Sequence, residues 1–148
     1  MKKYLIPFFI LSLGACQQGI VFEKYESLPE EVWHKYHAVE FLVPIPDSGQ
    51  YRVSLCLRHT TDYEMTDLWC MVSTRSHATT QLADTVDLKI TETDGRWIGT
   101  GGRIKTLEQA INLNPVNLPK GNVIFRIEPG MPLEEINGVK DIGIKIEK

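Results

Sequence analysis

Apolar side chains recur at every second position through most of this chain. Val39, Phe41, Val43 and Ile45 share one face with Glu40 opposite, and Pro44 and Pro46 close the run. Val53, Leu55 and Leu57 alternate with Arg52, Ser54 and Arg58. Val86, Leu88 and Ile90 alternate with Thr85, Asp87, Lys89 and Thr91. Val123, Phe125 and Ile127 alternate with Asn122, Arg126 and Glu128, and Ile142, Ile144 and Ile146 with Gly143, Lys145 and Glu147. Turn signals fall between these runs: Asp47-Ser48-Gly49, Asp94-Gly95, Asn114-Pro115, Pro119-Lys120-Gly121, Pro129-Gly130 and Asn137-Gly138. Thr106-Leu107-Glu108-Gln109 fits either a capped helical turn or a strand. Many one-faced strands joined by Gly/Pro turns predict an all-β fold, a two-sheet antiparallel β-sandwich of jelly-roll or immunoglobulin-like type. There is no internal repeat and no low-complexity tract.

Two cysteines give this pattern a test. A polar loop, residues 59–66, joins the run 51–58 to the run 67–73. A hairpin centred on Tyr63 sets Cys56 opposite Cys70, and pairs Leu55 with Met71 and Leu57 with Trp69 on the other, core-facing side. Directly opposed Cβ atoms lie near disulfide reach, so a Cys56–Cys70 disulfide is expected. The alternative is two free thiols buried as small hydrophobes.

The head of the chain follows a different rule. Met1-Lys2-Lys3 is basic, and residues 4–13 form an apolar run broken once, by Pro7. As a helix that run measures about 15 Å, half a bilayer's hydrocarbon thickness. It reads as a signal-peptide core and not as a span. Leu13-Gly14-Ala15-Cys16 resembles a bacterial lipobox, with cleavage between Ala15 and Cys16 and diacylglycerol on the Cys16 sulfur. Two or three acyl chains at about 0.8 kcal/mol per buried CH₂ make a near-permanent membrane anchor. The expected organisation is a signal peptide over residues 1–15, lipidated Cys16 and a tether over residues 16–19, and one β-sandwich domain over residues 20–148. Loss of residues 1–15 removes Lys2 and Lys3, so 148 residues and a charge of −3 become 133 and −5. Such a chain is one domain by size. Its acidity argues against nucleic acid as a partner.

The remaining chemistry is sparse. His34 and His37 have HxxH spacing, but no cysteine or carboxylate pattern completes a metal site. Gly99-Thr100-Gly101-Gly102-Arg103-Ile104-Lys105 lacks phosphate-loop spacing and reads as a loop or bulge. No nucleophile stands at a recognisable spacing from a base, and Glu134 and Glu135 point apart in an extended chain. No catalytic residue, no metal and no cofactor is therefore expected. Trp33, Trp69 and Trp97, with Tyr25, Tyr36, Tyr51 and Tyr63, leave a second reading open, a sugar-stacking platform on a carbohydrate-binding surface lipoprotein. That reading needs two aromatics on one exposed face. Against it, Trp69 falls on the predicted core face, Trp97 follows the Asp94-Gly95-Arg96 turn as a core anchor, and Trp33 plugs one end of the sandwich.

The order of these pieces resembles the gliding-motility lipoprotein GldH family of the Bacteroidota. The resemblance runs from the lipid cysteine through Val21-Phe22-Glu23-Lys24-Tyr25 and Val32-Trp33-His34-Lys35 to Arg58 with Asp62-Tyr63. It continues through Asp67-Leu68-Trp69, Asp94-Gly95-Arg96-Trp97-Ile98-Gly99 and Phe125-Arg126-Ile127-Glu128. It ends with the closing strand, residues 138–148. The motif residues Trp33, Asp94, Gly95, Arg96, Trp97 and Gly99 read as structural. The cysteine pair departs from the family pattern. The resemblance implies a non-enzymatic lipoprotein associated with gliding and type IX secretion, or with envelope assembly where the host does not glide. Its partners would be the membrane and other proteins of those assemblies. Surface-exported lipoproteins in these bacteria carry acids just after the lipid cysteine. Here the first acid is Glu23, which points to the periplasmic face of the outer membrane. Asp84-Thr85-Val86 matches a short O-glycosylation pattern of the same bacteria, with Thr85 on the solvent face.

Overall fold

A computed structural model describes residues 19–77, 80–112 and 115–148. The signal segment, Cys16 and Asn114 lie outside the described residues. The strands are β1 (Ile20–Ser27), β2 (Val32–His34), β3 (Val39–Ile45), β4 (Gly49–Thr60), β5 (Asp67–Ser76) and β6 (Thr80–Lys89). They continue with β7 (Ile104–Ala110), β8 (Val116–Leu118), β9 (Gly121–Pro129), β10 (Glu135–Asn137) and β11 (Val139–Glu147).

Each alternating run of the sequence becomes a strand with one inward face. In β3, Val39, Phe41, Val43 and Ile45 are buried while Glu40, Leu42 and Pro44 are exposed. The first sheet has the order β1-β11-β4-β7, with β8 beside the start of β4; the second has the order β3-β9-β5-β6. All pairings are antiparallel, and the short pair β2–β10 forms a third, two-stranded sheet. The chain passes between the two main sheets at β1→β3, β3→β4, β4→β5, β6→β7, β8→β9 and β9→β11, a jelly-roll-like winding. Trp33, Phe41, Tyr51 and Phe125 are the largest of the fully buried side chains in the core. Thr106-Leu107-Glu108-Gln109 is strand, inside β7, where seven residues pair with β4.

Both sheets terminate together, which gives the sandwich two ends. At the near end lie Gly19, the turn after Ile45, Ser76–His77 of the β5 exit, Gly121 and Lys148. At the far end lie β2 and β10 and the loops 61–66, 90–103 and 130–134.

The predicted 56/70 hairpin does not form. Residues 61–66 carry the chain from the first sheet to the second, so β4 and β5 are not partners. Cys56 lies between Gly143 and Glu108, and Cys70 between Val86 and Pro129. Both are free, buried thiols. Trp69 is likewise corrected: it is 47% exposed, and Leu68, Cys70 and Val72 face the core instead. The stretch Leu68-Trp69-Cys70-Met71-Val72 is apolar throughout, so periodicity assigns no inward face. Packing places the three smaller side chains between the sheets and leaves Trp69 and Met71 outside.

Candidate functional site

The two outer sheet faces and the far end hold the residues from which a site can be built. On the first sheet, one cross-strand row runs Tyr25–Gly143–Cys56–Glu108. Gly143 has no side chain, so the Tyr25 ring lies across it toward Cys56; a Cβ at 143 would stand 2.7 Å from Tyr25 Cδ1. Arg58 stacks on the Tyr25 ring at 3.8 Å and pairs with Asp141 at 3.6 Å, while Ser27 donates to Asp141 at 2.6 Å. Lys145 pairs with Glu108 and Glu147, each at 3.2 Å. Burial, helped by the nearby Glu108, pushes the Cys56 thiol up to about 12; burial and Cys56 push Tyr25 up to about 12. At neutral pH both groups stay protonated, so Cys56 is no ready nucleophile. Burial alone also raises Cys70.

The outer face of the second sheet is divided by a charged band. Arg126 bonds Glu40 at 2.9 Å and Glu128 at 2.8 Å. On the far side of this band are Trp69 and Met71, 47% and 48% exposed, with Met131 Sδ accepting from the Trp69 amide. On the near side are two adjoining shallow depressions of about 280 and 360 Å³. Arg75 and Ile124 line both, and Leu42, 59% exposed, lines the second. Thr85 stands exposed on this face in edge strand β6, its amide donating to Asp84 Oδ1 at 2.8 Å.

The far end contains the motif residues. Asp94 accepts from the Arg96 amide at 3.1 Å and from Arg96 Nε at 2.7 Å, and this contact holds its carboxyl below the usual range. Gly95, at φ 83°, closes the turn. Trp97 follows, half-buried, its ring 5.2 Å from that of His59. Gly99, at φ 97°, has Thr106 O where a Cβ would stand, at 2.5 Å, so no side chain fits. Trp33 is fully buried and donates to His37 O at 2.7 Å. His34 is exposed 3.5 Å from Glu135, and Lys35 pairs with Glu134 at 2.9 Å. No three His, Cys, Asp or Glu side chains converge as a metal set among the described residues.

Sequence reading singled out Trp33, Cys56, Cys70, Thr85, Trp97 and the 94–99 turn; the structure gathers only the turn with Trp97. It missed the Tyr25–Cys56–Arg58–Asp141 cluster and the Leu42–Ile124–Arg75 strip. One signal was present for the strip: Leu42 and Ile124 are apolar at the outward positions of otherwise alternating runs. Among the described residues, Trp69 is the one tryptophan or tyrosine on the outer face of the second sheet, and Trp33 and Trp97 lie elsewhere. The pair of exposed aromatics that a sugar platform requires is therefore not assembled there.

The pattern of a family described as GldH lipoprotein matches residues 20–146. A gliding motility lipoprotein GldH homolog of Christiangramia forsetii is 26% identical over 154 residues, covering 98% of this chain and 94% of its own. The gliding motility lipoprotein GldH of Flavobacterium johnsoniae is 26% identical over 146 residues, covering 92% and 89%. Among solved structures, a family 35 carbohydrate-binding module from Clostridium thermocellum has 16% identity and a TM-score of 0.45, covering 84% of this chain and 88% of its own.

Proposed function

This chain belongs to the GldH lipoprotein family, and on that premise we propose that it is a membrane-anchored, non-enzymatic component of the gliding and type IX secretion machinery, or of envelope assembly in a host that does not glide. Residues 1–15 are its signal peptide. Cys16 carries the lipid, and the sandwich beginning at Ile20 stands on the periplasmic face of the outer membrane. The observation that carries the reading is the span of the family match. It covers the sandwich from its first strand to its last and begins four residues after Cys16. The arrangement of polar side chains supports it. Arg58, Asp141, Arg126 and Lys145 are held in ion pairs that hold strands together. The exposed pair Trp69 and Met71 offers a protein partner an apolar contact of the kind that dominates interface energetics.

Deletion of the gene is expected to impair secretion or motility, and a Cys16→Ala variant is expected to fail similarly while its sandwich stays folded. Full complementation by an unanchored form would refute the anchored role. Loss of function in Trp69→Ala with an unchanged melting temperature would place the partner contact on the second sheet.

A further inference from the structure

The charge of the sandwich is divided along its length. The segments that build the far end, residues 28–37, 61–67, 89–103 and 130–141, carry ten carboxylates against five lysines and arginines. The near-end segments, residues 19–23, 45–54, 75–77, 118–124 and 145–148, carry three carboxylates against five cations: Arg52, Arg75, Lys120, Lys145 and Lys148. The acidity of the whole chain is thus concentrated at the end away from Gly19. An anionic surface approached from the Gly19 side meets the cationic end first.

The near end also adjoins an outward row of the second sheet in which exposed Leu42 and half-buried Ile124 stand beside a guanidinium with no ion pair among the described residues. Leu42 pairs in register with Ile124, and Ile124 with Arg75, so the three stand side by side on one face. Leu42 is three residues from the Ile45 end of β3, about 10 Å at strand rise. Arg75 is exposed and has no ion-pair partner among the described residues, in contrast to Arg126 in the neighbouring row, which holds two. Ile20, at the near end of β1, is also exposed. Only Gln17, Gln18 and Gly19 separate it from Cys16, and three residues span at most about 11 Å. A tether that short holds the near end at the bilayer.

We propose that the Leu42–Ile124–Arg75 strip is a second membrane contact. It rests on the phospholipid that holds the anchor, with Arg75 on a lipid phosphate and Leu42 and Ile124 in the boundary between headgroups and acyl chains. The contact fixes the orientation of the sandwich. The acidic far end, with Tyr36 82% exposed and the 94–99 turn, then points away from the membrane toward partners. The inference rests on the anchored reading above and adds a face to it.

The test uses the processed lipoprotein in phosphatidylethanolamine/phosphatidylglycerol vesicles, with a nitroxide at Leu42→Cys or Tyr36→Cys. Cys56 and Cys70 are buried and protonated and escape labelling. Flotation reports the anchor, and collision with oxygen or an aqueous nickel chelate reports depth. The contact predicts that the label at position 42 is shielded from nickel and open to oxygen, immersed by about 5 Å or more. The label at position 36 stays in water. Adding Arg75→Glu returns the position-42 label to water without loss of flotation. A floating protein whose two labels are equally open to nickel overturns the contact and leaves the anchor intact. Shielding from both probes at position 42 assigns the strip to a protein, and overturns it too. A protein that does not float overturns the anchored reading and the contact together.

Discussion

At the scale of single residues, two positions show how much a neighbour dictates. Gly143 is the gap through which Tyr25 reaches Cys56, and its Cβ would also meet Lys24 O at 2.9 Å. Gly143→Ala forces the Tyr25 ring or strand β1 outward. We expect a loss of about 1–3 kcal/mol in urea unfolding, as for other overpacked sites. A loss below that range would mean the ring moves freely. His59 is fully buried, with Nδ1 on Thr60 O at 2.9 Å and Nε2 without a partner among the described residues. Burial lowers its pKa, and Lys105 adds to the effect. In the unfolded chain the imidazole takes up its proton near pH 6.5, whereas the folded one remains neutral to lower pH. Above pH 6.5 the two states do not differ. Below it the unfolded state binds the extra proton, so stability falls with pH, by no more than about 1.4 kcal/mol per unit for one group. His59→Leu should flatten the pH dependence of unfolding between pH 7.5 and 5; an unchanged slope would assign it to other groups.

At the scale of elements, β5 is the strand whose orientation matters most. Leu68 and Trp69 are adjacent, yet one is sealed in the core and the other lies half in solvent. Leu68→Ala is expected to lose about 2–5 kcal/mol. Trp69→Ser should lose distinctly less, since part of its surface is already in water. Equal losses in parallel denaturant titrations would contradict the orientation described above. The sheet edges are protected as edges usually are. On β6, Asp84 occupies the Thr85 amide and Gln109 of β7 donates to Asp87 O at 2.9 Å, tying the two sheets together along that side. On β3, Pro44 has no amide proton to offer a neighbouring strand.

At the scale of the molecule, the separation of the cysteines is a property of the winding. Sheets in a sandwich pack about 10 Å apart, and Cys56 faces outward from its sheet while Cys70 faces inward from the other. Two thiols so placed are beyond bridging distance. The processed protein should yield no rapid thiol titre while folded and two thiols per chain after unfolding without reductant. Its melting temperature should not change with reductant. A titre of zero after unfolding would restore the bridge. The charge division between near and far ends belongs to this scale as well, because it sums segments far apart in the chain.

The sequence by itself determined the all-β class, most strand positions and the turn glycines, because alternation and φ > 0 turns are local properties of the backbone. It also carried the family resemblance, which is a matter of order and spacing along the chain. Only the tertiary structure decided which strands are partners. The hydrophobic period fixes a face and not a neighbour, so a consistent hairpin register for Cys56 and Cys70 was compatible with the sequence and absent from the fold. It also decided that Trp69 looks outward, since a run of five apolar residues has no preferred parity until the opposing sheet supplies a limited volume. The near-end strip was legible only as two misplaced aliphatics, Leu42 and Ile124. That they stand together, beside an Arg75 with no ion pair among the described residues and at the end where the tether begins, follows from strand register, which no local pattern encodes.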